Sequence, residues 1–425
     1  MKTRIFMGLF FLLGTVSLSA QDRVTIDQCY EWARDNYPQI ERFRLIEQTE
    51  QYTLSNAAKG WLPQVKVSAS ATYQSDVTTL PLENLSALVP GLEIPEMSKD
   101  QYKVAAEINQ SIWDGGQVRL SRKQAAVRAD ADRKELESQL YTLRERVNNL
   151  YFGCLLYKEL IAQNALLQQE FQINIDRVEA MMANGMANVS DKEELEVSLL
   201  NARQKEIELK AVRKAYLNML EALTGNALVK QAEMEEPPVP TSLSQEINRP
   251  ELQAISAQER ALSLRGRMLD IGIRPSVSAF LQGGYGRPGL NMLDNDFKGF
   301  YVAGVRMSWN IGNFYTIKNN RRLIDNDLKQ LDIERETFLF NTRLQQIQEN
   351  EQIRKLTELM KADDEIVRLR TNIKKATEAR YAEGVASASD VVREINAENI
   401  SRQEAVVHRV QQQMAIYNYM YITNN

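Results

Sequence analysis

A single histidine, His408, and two cysteines, Cys29 and Cys154, are all that the chain offers to imidazole or thiol chemistry. No His/Cys ligand cluster can be assembled from them, so neither a structural metal site nor a histidine-centred general base is expected. Cys29 and Cys154 both fall inside helical patterns and read as buried packing residues, although an oxidising compartment would permit them to pair. The glycine-rich Gly283-Gly-Tyr-Gly286 lies in an alternating strand and opens no helix, which disqualifies it as a nucleotide cradle. With no phosphate-binding Gly-Lys loop and no nucleophile elbow, the sequence predicts a protein that is not an enzyme and needs no cofactor. The remaining polar constellations are helix-terminal: Ser190-Asp191 and Ser389-Asp390 supply N-cap residue types, and Arg393 follows Asp390 by one turn. As an exposed pair, Asp390 and Arg393 would contribute only tenths of a kcal/mol, about 0.3.

The elements that carry these residues occur twice. Trp61-Leu-Pro63, an alternating stretch, Trp113-Asp-Gly-Gly116 and a long helical run ending at Gly185 and Asp191 recur as Arg274-Pro275, Trp309-Asn-Ile-Gly312, Gly384 and Asp390. Each copy reads as helix, strand, strand, long helix and return helix. Repeat 1 is expected over 21–224, with strands at about 64–75 and 101–113, a long helix at about 117–183 and a return helix at about 190–224. A Pro-rich linker, 225–247, leads to repeat 2 over 248–421, with strands at about 276–286 and 300–310 and helices at about 314–382 and 389–421.

The strands alternate cleanly. Val65, Val67, Ala69, Ala71 and Tyr73 oppose Lys66, Ser68, Ser70 and Thr72, and the other three strands repeat an apolar face against a polar face that reads as continuous. Segments of about ten residues with this pattern match a lipid-facing and water-facing barrel wall. Four strands cannot close a barrel, so neighbouring copies must contribute: a dimer would give eight strands and a trimer twelve, and only the wider barrel leaves room for a passage.

Beyond Gly116, Leu136, Leu140, Leu143, Val147, Leu150, Cys154, Tyr157 and Ile161 step by four and three, as in a coiled-coil seam. A single helix over 117–183 would reach roughly 100 Å at about 1.5 Å per residue. Gly185 and Gly384 end the two long runs.

Residues 1–20 carry Lys2 and Arg4, an apolar run and Ser17-Leu-Ser-Ala20, the order of a secretory signal peptide. Removing them makes the chain more acidic than the −4 of the full sequence, which argues against a nucleic-acid partner. Mean hydropathy is −0.41, and past the signal no apolar run approaches the roughly 18 residues of a transmembrane helix, so a spanning segment would have to be a closed barrel.

The opening Asp35-Asn-Tyr-Pro38, Leu62-Pro63, the Trp113-Asp-Gly-Gly116 entry to the long helix, and Tyr381-Ala-Glu-Gly384 running on to Ser389-Asp390 together resemble the TolC-like outer-membrane efflux protein family over nearly all of the mature chain. The resemblance implies an α+β membrane protein of the Gram-negative outer membrane. In it a homotrimer forms one 12-stranded β-barrel, continuous with a long α-helical coiled-coil tunnel in the periplasm. Its implied partners are outer-membrane lipid, a periplasmic adaptor protein and an inner-membrane pump. It also implies a gate at the helical tip, where Asp390 would ring the pore and Asp191 would join Tyr381 across neighbouring coiled coils. Where the family commonly has a second acidic residue one turn after the first, this chain has Arg393, so rings of Asp390 and Arg393 would close the tip by ion pairs between subunits. The family's basic latch falls at Ala386. Gly185 and Gly384 would form the tip turns, and Trp113, Gly115, Gly116, Trp309 and Gly312 the junction of barrel and helix.

The expected function is therefore the passive outer-membrane duct of a tripartite efflux or type I secretion system. A secreted or periplasmic coiled-coil scaffold or adaptor without a barrel is the alternative, and it would require the Val65, Val67 and Ala69 face to pack against protein.

Overall fold

The computed structural model describes residues 23–78, 97–292 and 294–425. The signal-peptide segment and most of the loop 76–100 lie outside the described residues. Backbone contacts divide the chain into two units, one formed by the segments ending at Ile40, Gln139–Arg249 and Leu339–Asn425, the other by Glu41–Ser138 and Pro250–Phe338.

The second unit holds the sheet. Strands β2 (Gln64–Tyr73), β3 (Asp100–Trp113), β5 (Ser276–Arg287) and β6 (Lys298–Ser308) run antiparallel in the order β2-β3-β5-β6. Register places Val67 opposite Ala106, Ala106 opposite Gly283 and Gly283 opposite Tyr301. Because side chains alternate with period two, Val65, Val67, Val104, Ile108, Leu281, Tyr285, Tyr301 and Val305 therefore share one face, and every one of them is exposed. The other face carries Lys66, Lys103, Glu107 and Arg306, but it is not continuously polar: Phe280, Phe300 and Val302 interrupt it. Each phenylalanine lies against a glycine of the adjacent strand, Phe280 on Gly304 and Phe300 on Gly284, where bare backbone accepts the ring. The sheet is open, and β2 and β6 have no outer strand partner among the described residues.

Helices α2 (Arg42–Ala58), α3 (Gln117–Tyr141) and α7 (Pro250–Ile271) belong wholly or mainly to this unit, with the first part of α8 (Asn313–Ala382). They are cross-linked by ion pairs: Arg133 to Glu50, Arg260 to Asp130 at 2.7 Å, and Arg321 to Asp270 at 2.6 Å. None of these pairs is deeply buried, so they fix register more than they add stability.

The first unit is a helical core. Helix α1 (Ile26–Asn36) starts at a capping box in which Thr25 and Gln28 satisfy each other's backbone N–H. Its Cys29 and Ala33 pack with Val147, Tyr151, Phe152 and Cys154 of α4 (Leu143–Ala183), and with Leu220 of α5 (Val189–Thr224) and Tyr417 of α9 (Ala388–Thr423). Both cysteines are free and buried, and burial, joined for Cys29 by its neighbour Cys154, pushes each thiol up to about 12. They therefore remain protonated and serve as packing groups.

Residues 117–183 form two helices divided at Thr142, whose hydroxyl donates to the Gln139 carbonyl at 2.8 Å, whereas α8 runs without a break from Asn313 to Ala382. Segment 225–247, read as a linker, is pinned. Gly225 ends α5 at φ +66°, a short helix α6 (Leu228–Gln231) follows, and β4 (Glu233–Met234) pairs in parallel with β1 (Arg23–Val24). Tyr417 then donates to the Pro238 carbonyl at 3.0 Å.

Candidate functional site

The two turns that join the long helices to their return helices are built alike. Asn184-Gly185 and Glu383-Gly384 close α4 and α8, with Gly185 at φ +71° and Gly384 at φ +72°, a conformation that glycine adopts without strain. Three residues beyond each glycine a helix begins with a backbone N–H tied to a carboxylate. The Asp191 carboxylate accepts from the Asn188 N–H at 3.0 Å, and that of Asp390 accepts from the Ser387 N–H at 3.0 Å and its hydroxyl at 2.8 Å. The Ser387 hydroxyl in turn accepts from the Asp390 N–H at 3.2 Å, completing a reciprocal cap. Both acidic residues singled out at the tip thus organise the start of a helix within their own chain.

Arg393 folds back on the same turn, 2.9 Å from Asp390 and 3.3 Å from Glu394. The backbone and side chain of Ser387, with Arg393, hold the Asp390 carboxyl below the usual carboxylate range. Asp390 therefore stays ionised, and its oxygens are occupied within one chain by Ser387 and Arg393.

Tyr381 is buried, and its hydroxyl has no hydrogen-bond partner. Burial, with the charge of Asp191, pushes the phenol upward, yet no hydrogen bond joins Tyr381 to Asp191 within the chain. The two are neighbours through field rather than contact. The ring belongs instead to a second core that also holds Leu195, Leu199, Val391 and Ile395 and is shared by α4, α5, α8 and α9.

One turn further along α9, the structure adds residues that the sequence reading did not single out. Glu398 is 2% exposed and takes Lys374 at 2.5 Å, Arg402 at 2.6 Å and the hydroxyl of Thr371. Lys374, with 12% of its side chain exposed, also pairs with Glu170, so one ammonium bridges α4, α8 and α9. Burial alone would raise the Glu398 carboxyl, but hydrogen bonds from Lys374, Thr371 and Arg402 overcome that and hold it at about 2. The signal was available: Glu398 continues the spacing of Val391 and Ile395, so it stands at a seam position where an apolar residue belongs. His408 pairs with Asp363 at 2.8 Å on the same two helices, and among the described residues no group of acidic, His or Cys side chains is placed to hold a metal.

At the junction of sheet and helix in the other unit, Asp114 accepts from the N–H groups of Gly116 and Val118 at 2.8 and 2.7 Å, capping α3. Gly115 and Gly116 take φ of +68° and +99°, and Arg274 donates to the Gly115 carbonyl at 3.0 Å. In the second copy the Trp309 indole N–H donates to the Ile273 carbonyl at 2.9 Å, and Gly312 keeps a negative φ. Trp113 stands at a register shift between β3 and β5. No described helix is long and apolar enough to cross a membrane.

Residues 29–226 match the family model described as outer membrane efflux protein. This segment of the chain is therefore similar to the outer membrane efflux proteins. Its fold is that of solved channels. A CusC structure superposes with a TM-score of 0.68 at 13% identity, covering 94% of this chain and 91% of that one. VceC of Vibrio cholerae gives 0.66 at 14% identity, covering 94% and 96%, and the MtrE outer membrane channel of Neisseria gonorrhoeae gives 0.63 at 14%, covering 94% and 88%. No curated protein sequence matches the chain.

Proposed function

We propose that this protein is the outer-membrane duct of a tripartite efflux or type I secretion system. It would assemble as a trimer whose three open sheets close one 12-stranded barrel, with its helical hairpins in the periplasm facing an adaptor and an inner-membrane pump. The observation that carries the reading is the sheet: one face is a continuous band of exposed apolar side chains from Val65 to Val305, the other carries Lys66, Lys103, Glu107 and Arg306, and its two edges have no strand partner among the described residues. A sheet of this kind is unstable in water. Edge-to-edge closure satisfies its backbone, and lipid covers its outer face. The family match and the shared fold support the same reading. It contributes no chemistry, and the transport energy comes from the pump.

The gate lies at the helical tip. Asp390 and Arg393 ring its mouth, and the unpaired buried hydroxyl of Tyr381 is a donor in want of the Asp191 carboxylate, a bond that forms when the hairpins of neighbouring subunits draw together. Detergent-solubilised protein in planar bilayers tests both parts. Stepwise conductance is expected for the wild type, larger for Asp390→Ala/Arg393→Ala and for Tyr381→Phe with the trimer intact. Absence of conductance, with extraction in buffer without detergent, would overturn the duct, and unchanged conductance in both variants would overturn the gate.

A further inference from the structure

The charged face of the sheet is strongly biased to one sign, and its cations are built into the wall. Within the four strands this face bears Lys66, Lys103, Lys298 and Arg306 against one carboxylate, Glu107. Lys298 is neutralised by Asp294 in the β5–β6 connection. The other three cations share Glu107 alone: Arg306 approaches it at 3.4 Å, and Lys66 stands directly opposite it in the β2–β3 register.

Lys103 and Arg306 are seated on aromatic rings. The Lys103 Nζ stands 4.9 Å from the centre of the Phe300 ring, and the Arg306 guanidinium stands 4.6 Å from that of Phe280. Both rings rest on glycine. A Cβ at Gly284 would come within 2.5 Å of Phe300, and one at Gly304 within 3.0 Å of Phe280. Two Gly-Phe-cation stacks, one in each direction across the β5–β6 pair, therefore hold basic groups against the sheet. A ring face positions a cation without cancelling its charge, which a carboxylate partner would do. The wall thus keeps a net positive field, and repetition of such a face around a water-filled lumen forms the basic rings that favour anions.

We propose that the barrel section of this duct is an anion-favouring collar made by Lys66, Lys103 and Arg306, and that the solutes it passes most readily are anionic. The inference rests on the duct reading, with this face turned to the lumen.

Reversal potentials in a KCl gradient near 0.1 M, where screening extends only about 10 Å, measure it directly. Neutralising the seated cations with Lys103→Gln/Arg306→Gln is expected to lower the chloride-to-potassium permeability ratio several-fold, and Lys66→Glu is expected to move it the same way. Where the double variant fails to yield a heat-modifiable trimer, Lys66→Glu, at an exposed position with no ring beneath it, decides the matter alone. Normal conductance with an unchanged or raised ratio overturns the collar and leaves the duct standing. No conductance from the wild type overturns the duct, and the collar with it.

Discussion

Gly185 and Gly384 take the same left-handed φ, and Asp191 and Asp390 cap the helices that follow in the same way, yet beyond that point the two hairpins bury different things. Val189 opens α5 at 60% exposure, whereas its counterpart Ala388 opens α9 at 1%. The next turn of α5 offers Lys192, which bridges Glu179 and Glu196 near the surface, while α9 offers Val391 and Val392 to the core. Only the second hairpin then buries a carboxylate, Glu398, under Lys374. The two turns thus share a backbone, which local residues specify, and differ in their surroundings, which depend on what packs there. The second hairpin is bound to the first through a buried core and an ion cluster just behind two turns that are themselves exposed.

The widest gap between the hairpins should appear in their lysines. Lys374→Ala leaves Glu398 and Glu170 short of a buried partner and is expected to destabilise the protein by about 3 kcal/mol, whereas Lys192→Ala removes a surface pair worth about 0.5 kcal/mol or less. Melting of the two variants in detergent checks this, and equal shifts would mean that the buried cluster contributes no more than a surface bridge.

Acid should separate the hairpins next. Glu398 binds its proton less readily folded, at about 2, than an unfolded glutamate does at about 4.3. Its contribution is therefore present above about pH 4.3 and is lost as pH falls through about 2. The wild type is expected to lose more melting temperature across that window than Glu398→Gln, which already lacks the ionised group.

The smallest difference between the hairpins should lie in the turns themselves. Nothing lies within 4 Å of a Cβ built at Gly185 or Gly384, so Gly185→Ala and Gly384→Ala each meet backbone strain alone, about 1 kcal/mol. Melting shifts of equal size would confirm that the turns are equivalent where the hairpins are not.

Much of this architecture is legible in residue order. Strand alternation around Val65–Tyr73 and the glycines that stop the long helices are local signals, each set by side-chain period or backbone preference within a few residues, whereas the caps fall at Asn188 and Ser387 rather than at the Ser190 and Ser389 expected, with Asp191 and Asp390 at the third helical position. The wall and the cluster were harder to read. Phe280 and Phe300 sit on the face expected to be polar, and their reason for being there is a glycine on the neighbouring strand, which no single-strand pattern contains. Glu398 breaks the apolar seam of α9, and the partners that hold it from another helix lie at positions 371 and 374.

The sequence by itself determined the amphipathic strands, the long helices and the glycine turns that end them, because those depend on short-range periodicity and on backbone preference within a few residues. Only the tertiary structure decided that Tyr381 and Asp191 remain unbonded within one chain, that Asp390 is already engaged by Ser387 and Arg393, and which cations share the charged wall. Those outcomes depend on strand register and helix packing, which bring together residues far apart in the chain and choose among partners that the sequence offers equally.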